Sequence, residues 1–310
     1  MRRLRLLAEF AARGTVAATA EALHLTGSAV SQQLAALEKE AGVPLLLKRG
    51  RRLELTAEGQ RLVDHAHVVL GNLAAAESDL AAMRRGERGS VRIAAFPTAA
   101  RALLPRLWPD PGQVPPPDAP VIQVVEHEPH AAEAALRKHQ VDIAVTHTYS
   151  LVPRPLPPGC EQRALFEEPV LLVLHPADAA RHGLSADAPA ELGHFADAPW
   201  LLPGPETACH EMAQRACGAA GFVPRPVAVA NDFTVLTALI TRRAGVALIP
   251  RPALPAPSPE LSVHTLTTPV RRSVQAVYHM GMGRRPDIAG TLDMLVSAAA
   301  SEVPAGSRRP

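Results

Sequence analysis

The sequence predicts a chain in two parts: an N-terminal all-α winged helix-turn-helix with a long linker helix, then an α/β domain of two Rossmann-like subdomains. Three observations predict it. Between Gly14 and Leu55, short helical patterns meet at tight breaks and run into two apolar pieces separated by a basic KRGRR. From Leu62 to Met83, apolar residues recur in steps of four and three, the a/d repeat of paired helices. Beyond Ser90, short β-rich runs alternate with helical ones, which is how parallel strands joined by crossover helices read.

Composition sets the outer limits. A chain of 310 residues with 47% hydrophobic content has enough apolar surface for two or three cored domains. Its formal net charge of +2 means that any basic surface is local, and the basic excess falls within the first 60 residues. Cys160, Cys209 and Cys217 form no CxxC pair and no even framework, which suits a reducing cytosol and excludes a disulfide scaffold. The opening MRRLRLLAEFAARG has its apolar run broken by Glu9 and Arg13, unlike a signal peptide. No stretch reaches the roughly 18 uninterrupted apolar residues of a membrane span. A cytoplasmic location with no membrane partner is therefore expected.

Leu4, Leu7 and Ala11 share one face of a first helix, ended by Gly14, since glycine takes a left-handed turn cheaply. Thr15 is placed to cap a second helix through Leu23, and Thr26 a third that Gly42 and Pro44 stop near Ala41. Along the third, Val30, Leu34 and Leu37 fall on one face, while Ser28, Ser31, Gln32, Ala35 and Lys39 fall on the other. That outer face carries short hydrogen-bonding groups and no carboxylate, as on a helix that enters the DNA major groove. Gln32 has the amide for bidentate pairing with adenine, and Thr26, Ser28, Ser31 and Lys39 flank it toward phosphates or base edges. Leu45–Leu47 and Leu53–Leu55 then form a hairpin whose basic tip, around Gly50, is a wing. Lys48, Arg49, Arg51 and Arg52 are positioned there to reach phosphates or the minor groove.

Thr56 caps the long helix, whose seam of Leu62, Ala66, Val69, Leu73, Ala76, Leu80 and Met83 suits another helix, the alternative being a single helix lying on its own domain. In the α/β part, VRIAAF, VIQVVE and VDIAVTH are strands, with helices over Thr98 to Trp108 and His130 to Gln140 between them. A second set follows: PVLLVLH, WLLP, a helix over Glu206 to Ala220, PVAVAND, a helix from Phe233 to Arg243, and VALIP. A strand over Ser273 to Met280 and a helix over Asp287 to Ala299 return to the first set. Two α/β units in series leave a crevice, and ligands bind outside the carboxyl ends of such strands.

GTVAATAEALHLTGSAVSQQLAALEKEAGVPLL followed by GRRLELTAEG resembles the winged helix-turn-helix of LysR-type transcriptional regulators. FEEPVLLVLHP, ALRKHQVDIAV, PWLLPG and LTALITRRAGVALIP resemble that family's effector-binding part, so the resemblance spans essentially the whole chain. It implies a periplasmic-binding-protein-like effector domain whose chain crosses between subdomains near Ala164 to Glu168 and Thr267 to Val270. The limits that follow are 1–58 for the DNA-binding domain and 59–88 for the linker. Subdomain I then takes 89–165 and 268–300, subdomain II 166–267, and a flexible tail 301–310. Where the family pattern has aromatics this chain has Leu7 and Leu46, where it has arginine Lys48, and where it has glutamine Gly27. The smaller side chains imply looser packing and one DNA contact fewer.

Candidate effector contacts lie on strand-to-helix turns facing the crevice: Thr98 and Ala99, Thr146 and His147, Gly204 and Thr207, Asn231 and Asp232. A helix N-terminus at Thr98 favours an anionic effector. His127, Glu128 and His130 in EHEPH have no matching cluster elsewhere, so no metal or other cofactor is expected. Cys209 and Cys217, eight residues apart on one helix, lie about 12 Å apart along it, too far for a disulfide. No G-x-S-x-G, no phosphate loop and no paired catalytic constellation is present. The sequence thus points to a non-enzymatic regulator that binds an interrupted inverted repeat in double-stranded DNA near promoters. It would act as a homodimer or homotetramer, answer to a small molecule, and act on RNA polymerase. The alternatives are a solute-binding or catalytic α/β domain fused to a helix-turn-helix, and a regulator with a degenerate crevice.

Overall fold

The structure, a computed structural model, describes residues 1–49, 52–66, 69–70, 73, 76, 89–116, 119–185 and 188–302. These fall into two compact units, Met1–Gly89 with Ala134–Val141, and Ser90–Glu133 with Asp142–Pro310.

In the first unit, α1 (Arg2–Arg13), α2 (Val16–Ala22) and α3 (Gly27–Ala41) are delimited by the residues expected to delimit them. Gly14 adopts φ 72° and returns its N–H to the Phe10 carbonyl, while Gly42 closes α3 at φ 70°. Thr15 and Thr26 each accept a backbone N–H, from Ala18 and Ala29, with their side-chain oxygens. Leu6, Leu7, Phe10, Val30, Leu34, Leu37 and Leu45 form the core. Leu7 is fully buried and Leu46 packs against the same cluster, half-buried.

Strands β1 (Leu46–Arg49) and β2 (Arg52–Leu55) pair antiparallel, with Arg49 opposite Arg52. Two contacts that periodicity does not reveal fix this hairpin. Glu38 on α3 accepts the backbone N–H groups of both Leu45 and Leu46 at 2.9 Å. Gly59 sits on the first turn of the next helix, α4 (57–66, helical again at 69, 70, 73 and 76), where a Cβ would stand 2.1 Å from the Leu45 carbonyl oxygen. Arg3 ties α1 to α3 through Glu40 and Gln33.

In the second unit, β3 (Ser90–Ala95) lies between β4 (Val121–Glu126) and β5 (Ile143–Tyr149), both parallel to it, as βαβαβ connections require. Here α5 (Pro97–Leu103) precedes the 3₁₀ turn Leu104–Leu107, so the single helix expected over Thr98 to Trp108 is interrupted. Pro105 has no N–H to continue the ladder. Helix α6 (Pro129–Arg137) runs from this unit into the Ala134–Val141 segment assigned to the first and stops short of Gln140, with His139 in the left-handed region at φ 55°.

Strand β6 (Cys160–Leu174) is 15 residues long and serves both subdomains. Up to Pro169 it pairs with β11 (Arg271–His279), which itself pairs with β5. From Val170 it pairs with β9 (Ala247–Pro250) and β10 (Ser262–His264). The exchange of partners lies just beyond the segment Ala164–Glu168 named from the sequence.

The second subdomain adds α7 (Pro176–Arg181), β7 (Pro199–Leu202), α8 (Ala208–Ala219), β8 (Arg225–Val229) and α9 (Phe233–Thr241). Its core is built on Trp200, Phe195, Met212 and Leu172, and the first subdomain's on Ile93, Leu103, Ile143 and Leu295. The final helix α10 (Pro286–Glu302) continues past Ala299. Neither α7 nor the three-residue β10 was anticipated, since each is too short to show a period.

Candidate nucleic-acid interface and ligand crevice

Helix α3 divides as its spacing requires. Val30, Leu34 and Leu37 are buried, while Thr26, Ser28, Ser31, Gln32, Ala35 and Lys39 are all exposed. The Thr26 and Ser28 hydroxyls lie 3.0 Å apart, so the cap and the first exposed turn form one polar corner. On the wing, Lys48 and Arg49 are exposed, with Arg49 3.8 Å from Glu54 across the hairpin. That neighbour offsets part of its attraction for phosphate. Arg51 lies outside the described residues, as does the Arg52 side chain. Of the helix seam, Leu62 packs on the winged core and Ala66 is buried, whereas Val69, Leu73 and Ala76 are exposed. Leu80 and Met83 lie outside the described residues.

In the second unit, a cavity of about 460 Å³ opens at the carboxyl ends of β3, β4 and β5, against the start of α9. Phe96, Thr98, Arg101, Glu126, Glu128 and His147 line it from the first subdomain, and Cys209, Asn231, Asp232, Phe233 and Thr234 from the second. Arg272, 1% exposed, lines it as well, with its Nε 2.6 Å from Glu168 Oε1 and its guanidinium 5.1 Å from the Phe96 ring centre. Register explains the grouping: Arg272 stands opposite Tyr149 on β5 and Glu168 on β6, so the three share one face of adjacent strands. The Tyr149 hydroxyl lies 2.8 Å from Cys209 Sγ.

Burial governs the ionisation here. It pushes the His147 imidazole well below its ordinary value, assisted by Arg272 and Arg154, so the ring is neutral. It raises the thiol of Cys209 and pushes that of Cys217 up to about 12. Glu128 is solvent-accessible yet closely surrounded, and desolvation raises its pKa with help from Glu126 and Glu206 against Arg272. Asp232, which caps α9 through the Thr234 N–H, is held below the usual carboxylate range by that bond.

The profile of bacterial regulatory helix-turn-helix proteins of the lysR family matches residues 1–60, and that of the LysR substrate binding domain matches residues 84–300. The chain belongs to the LysR family. It is a LysR-type transcriptional regulator, with a DNA-binding N-terminal part and a C-terminal part that binds a small-molecule effector. Relatives include the regulator IlvR of Caulobacter vibrioides, 29% identical over 74% of this chain and 75% of its own. The probable regulator LrrA of Synechococcus elongatus is 28% identical over 96% of each chain. The solved structure of ArgP from Mycobacterium tuberculosis shares the fold at a TM-score of 0.65, with 21% identity over 100% of this chain and 98% of that one.

In this LysR-type regulator the effector candidates separate into two groups. Thr98, His147, Asn231 and Asp232 line the crevice. Ala99, Thr146, Gly204 and Thr207 do not line it. Ala99 belongs to the first subdomain's core, and Thr146 is buried one residue out of phase with His147. Thr207 caps α8, accepting from His210 N and donating to the Gly204 carbonyl. The Gly204 N–H bonds to Asn231 Oδ1 at 2.7 Å, so close that a Cβ there would overlap Asn231 and Glu206.

Sequence reasoning missed Arg272, Glu168, Phe96, Arg101, Glu126 and Glu128. Two signals were present: oppositely charged pairs in FEEP and VRRS at the ends of apolar strands, and carboxylates at the carboxyl end of β4. In sequence, EHEPH reads only as candidate metal ligands.

Proposed function

We propose that this LysR-type regulator binds an interrupted inverted repeat near promoters as a dimer or a dimer of dimers, and that a small metabolite in its crevice changes how it holds that DNA. The single observation that supports DNA reading by α3 is its fully exposed face of Ser28, Ser31 and Gln32, flanked by a capped turn and a basic hairpin. Thr26, Lys39, Arg49, Arg51 and Arg52 serve as phosphate contacts in this reading. Thr98, His147, Asn231 and Asp232 serve as effector contacts, whereas Ala99, Thr146, Gly204 and Thr207 are better read as support for that wall.

Val69, Leu73 and Ala76, exposed on α4, are apolar enough to face a second copy. Edge strands β4 and β8 expose Val121, Val124, Val227 and Val229, a feature that favours pairing of effector domains into tetramers. The domain limits we adopt are 1–58, 59–88, 89–165 with 268–300, and 166–267, followed by the tail 301–310. The protein acts in the cytoplasm; no helix among the described residues is long and apolar enough to cross a membrane.

Control is by differential affinity for two arrangements of the subdomains, with the spacing or bend of the bound promoter as the output. RNA polymerase is the partner that would register that change. Catalysis has no support in the crevice: the Cys209 thiol is held protonated, and the neutral His147 has no nucleophile paired with it. A peroxide-type thiol signal is disfavoured on the same ground, because the thiolate is the reactive form.

Footprinting the full-length protein on DNA upstream of its own gene, with and without pooled small metabolites, tests the reading. A protected inverted repeat whose boundaries or hypersensitive bands change with the pool is expected. Absence of any protected site would refute DNA reading, and an unchanging footprint would refute metabolite control.

A further inference from the structure

The crevice is ringed by carboxylates. Glu126 and Glu128 line it from the end of β4, Asp232 from the start of α9, and Glu206 is joined to the lining Asn231 by a 2.7 Å hydrogen bond. Neither Glu126 nor Glu128 has an ion-pair partner among the described residues. Of the cations nearby, Arg272 is ion-paired, while Arg101 lines the cavity with its charge unpaired by any carboxylate among the described ion pairs and acts on Asp232. Arg272 is bonded to Glu168, and Arg101 donates to the Pro252 carbonyl at 2.7 Å. Arg154 is solvent-exposed and does not line the cavity.

Deeper in the cavity, Thr98 Oγ1 and His147 Nδ1 are buried without a hydrogen-bond partner, on side chains 8% and 3% exposed. Buried polar atoms left this way cost stability unless a ligand completes them. A hydroxyl both donates and accepts, and Nδ1 of a neutral imidazole accepts when the proton sits on Nε2, so a ligand bearing N–H groups can complete both atoms.

Resting on the effector reading above, we propose that the crevice takes a small organic cation, an ammonium or guanidinium compound, held between Glu126 and Glu128 of one subdomain and Asp232 and Glu206 of the other. Its N–H groups satisfy Thr98 and His147. This reverses the anionic effector inferred from the helix N-terminus at Thr98: α5 is only 7 residues long, and the walls facing its start are acidic. A metal ion is the weaker occupant, since no group of three or more His, Cys, Asp or Glu side chains among the described residues is arranged to hold one.

The placement also supplies a mechanism for closure. Carboxylates on both subdomains face one another across the crevice, and a cation between them would offset their repulsion and favour the arrangement that brings the walls together.

Calorimetric titration of the full-length protein in physiological salt tests this with probes of matched length: 1,4-diaminobutane, agmatine, n-butanol and succinate. The proposal expects saturable binding of the two cations, and binding reduced about tenfold or more in Glu126→Gln/Glu128→Gln. That variant should keep the wild-type melting temperature or exceed it, because it relieves like-charge repulsion.

If succinate or n-butanol bound instead, and a cavity-filling Thr98→Met abolished that binding, the crevice reading would stand and the cation assignment would fall. Cation binding unchanged in the double variant would overturn the site. If no probe of any charge bound, the cation proposal would be overturned; a footprint indifferent to pooled metabolites would then overturn the effector reading as well.

Discussion

His147 shows how one residue can be both buried support and ligand wall. Phe96 stacks edge-on at 4.5 Å and Tyr149 at 5.1 Å, and Arg272 and Arg154 add positive potential, so protonation inside the fold is strongly disfavoured. In the unfolded chain the same ring takes up a proton near its ordinary value of 6.5. Below that pH the unfolded state binds the extra proton, and stability therefore falls as the solution is acidified, by up to about 1.4 kcal/mol per pH unit. Urea unfolding followed from pH 8 to pH 5.5 should show this slope in the wild type and a shallower one in His147→Phe; identical slopes would remove His147 as its source. Glu168 belongs to the same neighbourhood. Replacing it with Leu leaves the Arg272 guanidinium as a buried charge without its carboxylate, at an expected cost of about 3–5 kcal/mol in the same assay.

At the level of elements, the caps and stops of the winged unit were legible because each is a local event. Thr15, Thr26, Gly14 and Gly42 act within four residues of themselves, and the structure shows each acting as expected. What was not legible depends on partners far along the chain. Glu38 reads as an ordinary surface residue of α3, yet it anchors the start of the hairpin through two backbone N–H groups. Glu38→Ala should destabilise the N-terminal unit by roughly 1–3 kcal/mol, and an isosteric Gln should recover part of that loss, both measurable by thermal melting.

The same distinction holds in the effector part. Strand-helix alternation announced β3, α5, β4, α6 and β5. By contrast, the grouping of Arg272 with Glu168 arises only when β11 inserts between β5 and β6, a pairing of residues 104 apart. Short elements fared worst, since α7 and β10 carry too few residues for any period.

For the molecule as a whole, the proposed function calls for two copies and two states. Two-fold pairing through α4 would place two α3 helices in successive major grooves, about 34 Å apart per helical turn or a multiple of it. Leu73→Asp sets a charge on the exposed part of the seam and should convert dimers to monomers in sedimentation analysis; an unchanged dimer would move the interface elsewhere. In the proposed function the crevice meets the second requirement, as a site whose occupancy would distinguish two arrangements of its walls.

Sequence-specific DNA reading depends on α3 presenting Gln32 to bases, and its most direct test is quantitative binding of Gln32→Ala to the footprinted operator beside unrelated DNA. The expected result is a loss of about 1–3 kcal/mol on the operator, relaxed preference at one base pair of each half-site, and unaltered binding to unrelated DNA. Operator binding by Gln32→Ala equal to wild type in affinity and base preference would contradict it.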